Sequence, residues 1–129
     1  MNLFAQKARI VNKEWGREIW FAQTDDYMAK VLEIKAGRCT SGGLMHYHKF
    51  KEETLYLESG RLAVETIEDG DSINYTMHPG QHHHIMPGVK HRFRVIGDVD
   101  VRLFEASTVH PEDSVVVQNS KSEVEKYAS

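Results

Sequence analysis

His46-Tyr47-His48-Lys49-Phe50-Lys51-Glu52-Glu53-Thr54-Leu55-Tyr56-Leu57-Glu58-Ser59-Gly60 is the stretch that decides the fold. Its opening triplet sets two imidazoles two residues apart. Side chains in a β-strand alternate with period two, so His46 and His48 face the same way and their heads can share one ion. Thr54 to Leu57 is strand-like again and stops at Ser59-Gly60. A turn or bulge between the two runs breaks the alternation and lets Glu53 swing back toward the histidines. His91, far along the chain, follows Pro87-Gly88-Val89-Lys90. Three imidazoles and a carboxylate leave coordination positions open for water or substrate, which marks a catalytic site more than a closed structural one. Zn, Mn, Fe and Ni all suit that donor set, so the expected cofactor is one divalent metal ion of unassigned identity.

On both sides of this stretch the chain repeats short β-rich runs parted by Gly, Pro and Asp turns. Met28 to Lys35 ends at Ala36-Gly37, and Leu44 to His48 follows Ser41-Gly42-Gly43. Arg61 to Glu68 closes at Asp69-Gly70-Asp71, and Ile73 to Met77 breaks at His78-Pro79-Gly80. His82 to Met86 runs into Pro87-Gly88, His91 to Ile96 ends at Gly97-Asp98, and Val99 to Glu105 alternates. Some eight or nine short strands at roughly 8–12-residue spacing predict an all-β sandwich or barrel. The barrel is assigned to residues 16–118 and residues 1–15 to an N-terminal lead or edge strand. Residues 119–129 are assigned to a polar tail, loose or briefly helical.

Composition narrows the function classes. A chain of 129 residues is one domain by size. A net charge of −3 carries no electrostatic footprint for nucleic acid. No apolar run approaches the ~20 residues of a membrane span, and the N-terminus lacks the apolar stretch of a secretory signal. Cys39 is the single cysteine, so no internal disulfide can form. That fits a reducing compartment, and a cytoplasmic location is the expectation. Seven of the eight histidines fall between His46 and His91, a clustering consistent with metal binding.

The run His46-x-His48-x4-Glu53-x6-Gly60 resembles the first motif of the cupin superfamily from its first histidine onward. Gly80 and Met86-Pro87-Gly88-Val89-Lys90-His91 resemble the second, with Met86 in place of a proline and Val95 in place of the closing asparagine. The resemblance implies a cupin-type double-stranded β-helix, a jelly-roll barrel, with His46, His48, Glu53 and His91 as metal ligands. Glu52 competes for the carboxylate role, since cupins allow either spacing. The interval from Glu53 to Gly60 favours Glu53. A narrower resemblance runs through Trp15-Gly16, Tyr27-x-x-Lys30, Lys35-x-Gly37, Gly88-Val89-Lys90-His91-Arg92 and Leu103-x-Glu105. In that order these residues are similar to the cupin domain of type II mannose-6-phosphate isomerases. The differences are two extra residues between His48 and Glu53, and Gly42-Gly43 where that family has Leu-Gln.

Two polar residues interrupt apolar faces. Lys30 shares a face with Met28, Leu32 and Ile34, and Glu105 shares one with Val99, Val101 and Leu103. An inward lysine serves as a binding group for a phosphate, a carboxylate or a sugar hydroxyl, or it stands near the barrel mouth with its head in water. An inward carboxylate near a metal serves as a general base, or as a salt-bridge partner of Lys30. His83 and Ile85 share one face, and His82 and His84 the other. Arg92 and Arg94 point away from His91, and Tyr56 points out of the barrel toward a partner subunit.

The expected function is a metal-dependent isomerase acting on a sugar or sugar phosphate. A proton moves next to a metal-bound carbonyl, with Glu105 as the base and Lys30 steadying the oxyanion or the anionic tail. A cupin dioxygenase and a non-catalytic sugar-binding cupin are the alternatives. The expected partners are a small-molecule carbohydrate and a second copy in a homodimer, with no nucleic acid and no membrane.

Overall fold

The computed structural model describes residues 4–119 and 122–126. Its strands are β1 (Arg9–Lys13), β2 (Gly16–Gln23), β3 (Met28–Ile34), β4 (Met45–His48), β5 (Glu53–Ser59), β6 (Leu62–Glu68), β7 (Asp71–Met77), β8 (His82–Ile85), β9 (Lys90–Val95), β10 (Val101–Ser107), β11 (Ser114–Asn119) and β12 (Ser122–Lys126). A short 3-10 turn spans Thr40–Gly43. Two six-stranded sheets form, in the orders β1-β2-β3-β10-β5-β8 and β12-β11-β4-β9-β6-β7. Every ladder is antiparallel. The chain is an all-β jelly-roll barrel, and among the described residues no helix is long and apolar enough to cross a membrane.

Alternation puts one set of side chains from each sheet inside. Met28, Lys30, Leu32 and Ile34 of β3 are buried, and so are Val101, Leu103 and Glu105 of β10, which pair with Ile34, Leu32 and Lys30. The interior is divided along its length. One end is an apolar core in which Ile34, Leu57, Leu62, Val64, Met77 and Leu103 are fully enclosed. Burying each such side chain is worth about 1.5–3 kcal/mol. The other end carries His46, His48, Glu53, His91, Lys30 and Glu105, all buried. The apolar end supplies the stability that lets the polar end hold buried charge.

Glycine is required at the corner after β5. Gly60 has φ +86°, and a Cβ there would stand 2.8 Å from both the Asp100 carbonyl oxygen and Val101 Cγ2. The turn after β8 serves the polar end. Gly88, at φ +85°, donates its N–H to the His48 carbonyl at 2.8 Å and ties the Pro87-Gly88 corner to β4.

Three sequence expectations need correction. Val99 does not share the stripe of Val101, Leu103 and Glu105: it lies in the turn before β10 and is 62% exposed. Part of the expected polar tail is strand β12, antiparallel to β11, because the apolar Val115-Val116-Val117 run gives it a ladder to join. Residues 120, 121 and 127–129 of that tail lie outside the described residues. Strand β2 was not anticipated: Glu18 and Trp20 on one face and Ile19 and Phe21 on the other mask a simple polar–apolar alternation.

Candidate metal centre

β4 carries His46 and His48, and β9 brings His91 directly opposite His46 in the ladder. One ligand atom from each of the three lies within 4.8 Å of the others. An ion bound at about 2.1 Å would draw them closer. Each ring is held from its far side. His48 Nδ1 donates to Asp113 Oδ1 at 3.1 Å, His91 Nδ1 donates to the Val89 carbonyl at 2.9 Å, and His46 Nδ1 meets Ser41 Oγ at 2.8 Å. A carboxylate or carbonyl on Nδ1 fixes the tautomer with the lone pair on Nε2, as metal-binding histidines require. His91 Nε2 is buried and has no hydrogen-bond partner among the described residues, an arrangement that a bound cation satisfies. The donor set therefore fits a metal ion. Ser41 holds His46 from a left-handed backbone conformation, φ 55°, rare outside glycine and kept where a site needs it.

Glu53 opens β5 and faces the same point. Its Oε1 is 3.5 Å from His91 Nε2, and its Oε2 is 3.8 Å from His48 Nε2. The link from β4 is clamped from the far end of the chain. Asp113 Oδ2 accepts the N–H groups of Phe50 (2.8 Å) and Lys51 (2.7 Å), Lys49 N–H donates to the Asp113 carbonyl, and Thr108 brackets Glu52 through backbone and hydroxyl. Glu52 turns the other way, where it is about half exposed and pairs with His84 Nε2 at 2.6 Å. The geometry thus puts Glu53 beside the histidines and Glu52 outside.

Lys30 and Glu105 both point inward, and they belong to a longer chain of alternating charge. Trp20 Nε1 donates to Glu18 Oε1 at 2.9 Å, and Lys30 Nζ reaches the same oxygen at 3.2 Å. Lys30 is also 3.9 Å from Glu105 Oε2, which Lys51 Nζ contacts at 3.1 Å while lying 3.0 Å from Glu53 Oε2. Glu18, Lys51 and Asp113 are therefore site residues that the sequence reading missed. Glu18 sits on the unanticipated strand, Lys51 lies where alternation breaks, and Asp113 lies in the loop before β11. A signal for Lys51 existed in the quoted stretch, two residues before Glu53.

The electrostatics follow from burial. Burial holds His48 down at about 4, with Lys51 adding to the effect, and burial also lowers His91. Both rings are neutral at pH 7 and fit to ligate. Burial alone would raise Glu53, but Lys51 overrides it and keeps the carboxyl at about 2. Glu105 is raised above the usual carboxylate range by burial, against the pull of Lys30 and Lys51. His46, His48, Lys51, Glu53, Lys30 and Glu105 line a cavity of about 100 Å³ walled also by Trp15, Leu32 and Phe93 and rimmed by Lys13 and Ser41. Beyond the rim a shallower depression runs over Glu14, Arg38 and Cys39.

Of the remaining histidines, His83 faces inward beside Leu55 and accepts or donates a 2.5 Å hydrogen bond with Tyr75. His82 and His84 are exposed. Arg92 contacts Glu65 and the Gly43 carbonyl, away from the cavity.

A family model described as Cupin domain matches residues 30–107. Protein SchB of Streptomyces halstedii is 40% identical over 58 residues, 45% of this chain and 39% of that protein. Polyketide synthase CurC of Streptomyces cyaneus is 35% identical over 71 residues, 54% of this chain and 44% of that protein. The matches thus span less than half the length of these relatives. Among solved structures, the capsular polysaccharide assembling protein CapF from Staphylococcus aureus superposes with a TM-score of 0.75 at 19% identity, over 87% of this chain and 33% of that one. At that identity the likeness is one of fold.

Proposed function

The chain belongs to the cupin family, and from that premise we propose that it is a metal-dependent isomerase moving a proton on carbon beside a metal-held carbonyl of a sugar or related hydroxycarbonyl compound. The observation that carries the reading is Glu105: a buried carboxylate lining the same cavity as His46, His48 and Glu53. His46, His48, His91 and Glu53 would hold a divalent ion, which would supply Lewis acidity to a carbonyl and its neighbouring hydroxyl. Glu105 takes the proton from the adjacent carbon and returns it to the next, and a raised proton affinity suits a base that must also give the proton back. Lys51 holds Glu105 and Glu53 apart and in place. Lys30 presents N–H donors toward the developing oxyanion. Trp15, Leu32 and Phe93 keep bulk water from the reacting end. The likeness of Gly88-Val89-Lys90-His91-Arg92 and Leu103-x-Glu105 to type II mannose-6-phosphate isomerases supports the sugar assignment.

Solvent-deuterium exchange followed by NMR tests the reading. Metal-loaded protein incubated with aldoses, ketoses and their phosphates should exchange the proton beside the carbonyl of at least one of them. Absence of exchange across the panel would sink the isomerase.

A second substrate class has its own support in the relative named Polyketide synthase CurC. Polyketides carry carbonyls flanking acidic CH2 groups, and the same proton abstraction serves there. Adding a simple β-hydroxyketone to the exchange panel, with its rate compared against the same solution without protein, separates the two. The reading includes a cytoplasmic homodimer: Tyr56 is 46% exposed on the outer sheet face, its ring 6.4 Å from that of Phe104. Sedimentation equilibrium checks the dimer.

A further inference from the structure

β8 is the outermost strand of its sheet and pairs only with β5. Its run His82-His83-His84 stands apart from the three histidines of the metal centre. Alternation turns His83 in beside Leu55 and sets His82 and His84 together on the outer face, opposite Tyr56 and Thr54. Both outer rings are exposed. The pair repeats the relation of His46 to His48 on β4, but in contact with water. Lysine is the usual guard of an exposed strand edge, and β8 carries none. His84 is moreover held as a ligating histidine is held. Its Nε2 donates to Glu52 Oε2 at 2.6 Å, as the Nδ1 of His48 does to Asp113. A carboxylate on one ring nitrogen fixes the proton there and leaves the lone pair on the other. The ligand atom of His84 is then Nδ1, and the exposed ring of His82 can turn toward it.

We infer that the outer face of β8 is a second metal site, in which His82 and His84 chelate one divalent zinc or nickel ion, water completes the shell and Glu52 orients His84. Imidazole suits these ions, whereas magnesium and calcium prefer oxygen donors. The outer site is weaker than the inner centre for two reasons. It offers two imidazoles, against three and a carboxylate inside. Its exposed side chains also give up rotamer freedom when they close on the ion, a cost that the buried rings have already met in folding. Glu52 and Glu53 are consecutive, and the link from β4 to β5 turns the first out to this site and the second in to the other. The inference stands independently of the proposed isomerase.

Calorimetric titration of the metal-stripped full chain with zinc tests this without turnover. The wild type should take up two ions per chain in two steps, the second weaker. The double substitution His82→Ala, His84→Ala should lose the weaker step and keep the tighter one, because both side chains are exposed and lie outside the inner centre. Glu52→Ala should weaken the outer step about tenfold, the low end of the cost of removing a group that orients a ligating histidine. The reverse control, His48→Gln with His91→Gln, should lose the tight step and keep the weak one. Zinc uptake by the His82, His84 double variant equal to that of the wild type would overturn the inference, and so would loss of both steps together. An unchanged outer step in Glu52→Ala would overturn the role given to Glu52. A chain that shows only the weak step, and loses it in the double variant, would remove the inner centre and leave this site standing.

Discussion

Asp113 Oδ1 lies 3.1 Å from His48 Nδ1, while its Oδ2 accepts the N–H groups of Phe50 and Lys51. One buried carboxylate thus orients a candidate metal ligand on β4 and pins the link that carries the next one, Glu53. The contact spans 65 positions in sequence. It ties the closing segment of the chain to the centre of the barrel, so metal affinity and the docking of the loop before β11 are coupled.

Asp113→Ala should therefore weaken metal binding about 10–100-fold, the usual cost of losing the group that orients a ligating histidine. Asp113→Asn, whose single carboxamide oxygen can still accept the backbone N–H groups of Phe50 and Lys51, should lose less. Competition with a chromophoric chelator reads both constants. Equal, wild-type affinity in both variants would detach Asp113 from the metal centre.

Acid should destabilise the metal-free chain in two separate steps. His48 has a folded value of about 4, below the ordinary 6.5, so the unfolded chain takes up its proton first. The stability tied to that neutral ring is complete above pH 6.5 and is lost as the pH falls from there toward about 4. Glu53 is depressed from 4.5 to about 2, so its contribution is present above pH 4.5 and is lost as the pH falls toward about 2. Melting temperatures taken from pH 7 to 3 should fall in the upper window for the wild type and fall less steeply there for His48→Gln, in which the buried His91 still resists protonation. Bound metal should deepen the upper step, because protonated imidazole cannot ligate. A wild-type melting curve flat between pH 6.5 and 4.5 would contradict the buried neutral histidines.

Much of this site was legible where one physical rule acts alone. Period-two alternation is enough to place His46 with His48, to turn Lys30 and Glu105 inward and to put Tyr56 and Arg94 outside. It failed where the chain leaves the ladder. Lys51 lies in a link whose direction is set by Asp113 and Thr108, partners more than fifty positions away. Glu18 sits on a strand with large apolar residues on both faces, Trp20 within and Phe21 without, so nothing local marks it as inward. Val99 was extrapolated one residue pair beyond a strand that starts at Val101. β12 is polar and strand-forming only because β11 offers it an edge. Tertiary partners decide each of these positions, and a local pattern does not contain them.

The Gly60 corner gives a test of packing rather than chemistry. A Cβ there meets Asp100 O and Val101 Cγ2 at 2.8 Å in a backbone conformation that L-residues avoid. Gly60→Ala should cost about 1–3 kcal/mol, the range for strain at such a position, while metal affinity per folded molecule stays the same. Urea unfolding with a parallel metal titration separates the two. An unchanged midpoint would mean that the β5–β6 corner yields freely.

Lys51 offers the sharpest test, because it touches both carboxylates that the proposed reaction uses. With the ammonium removed, Glu53 and Glu105 keep their burial but lose the charge between them. Lys51→Met should therefore destabilise the metal-free chain by about 3–5 kcal/mol, the cost of leaving buried charge unpaired. Glu105→Gln alone removes one carboxylate and leaves Lys51 paired with Glu53 at 3.0 Å, so its structural cost should be smaller. In the double variant the penalty should fall short of the sum by about 0.5–3 kcal/mol, since a neutral amide no longer needs the ammonium. Catalysis splits the two residues differently. Glu105→Gln should keep its metal and lower proton exchange by about 10²–10⁴-fold, as for a lost general base. Strict additivity in the stability cycle would show that the three groups do not act as one network. Undiminished exchange in Glu105→Gln would pass the role of base to another group.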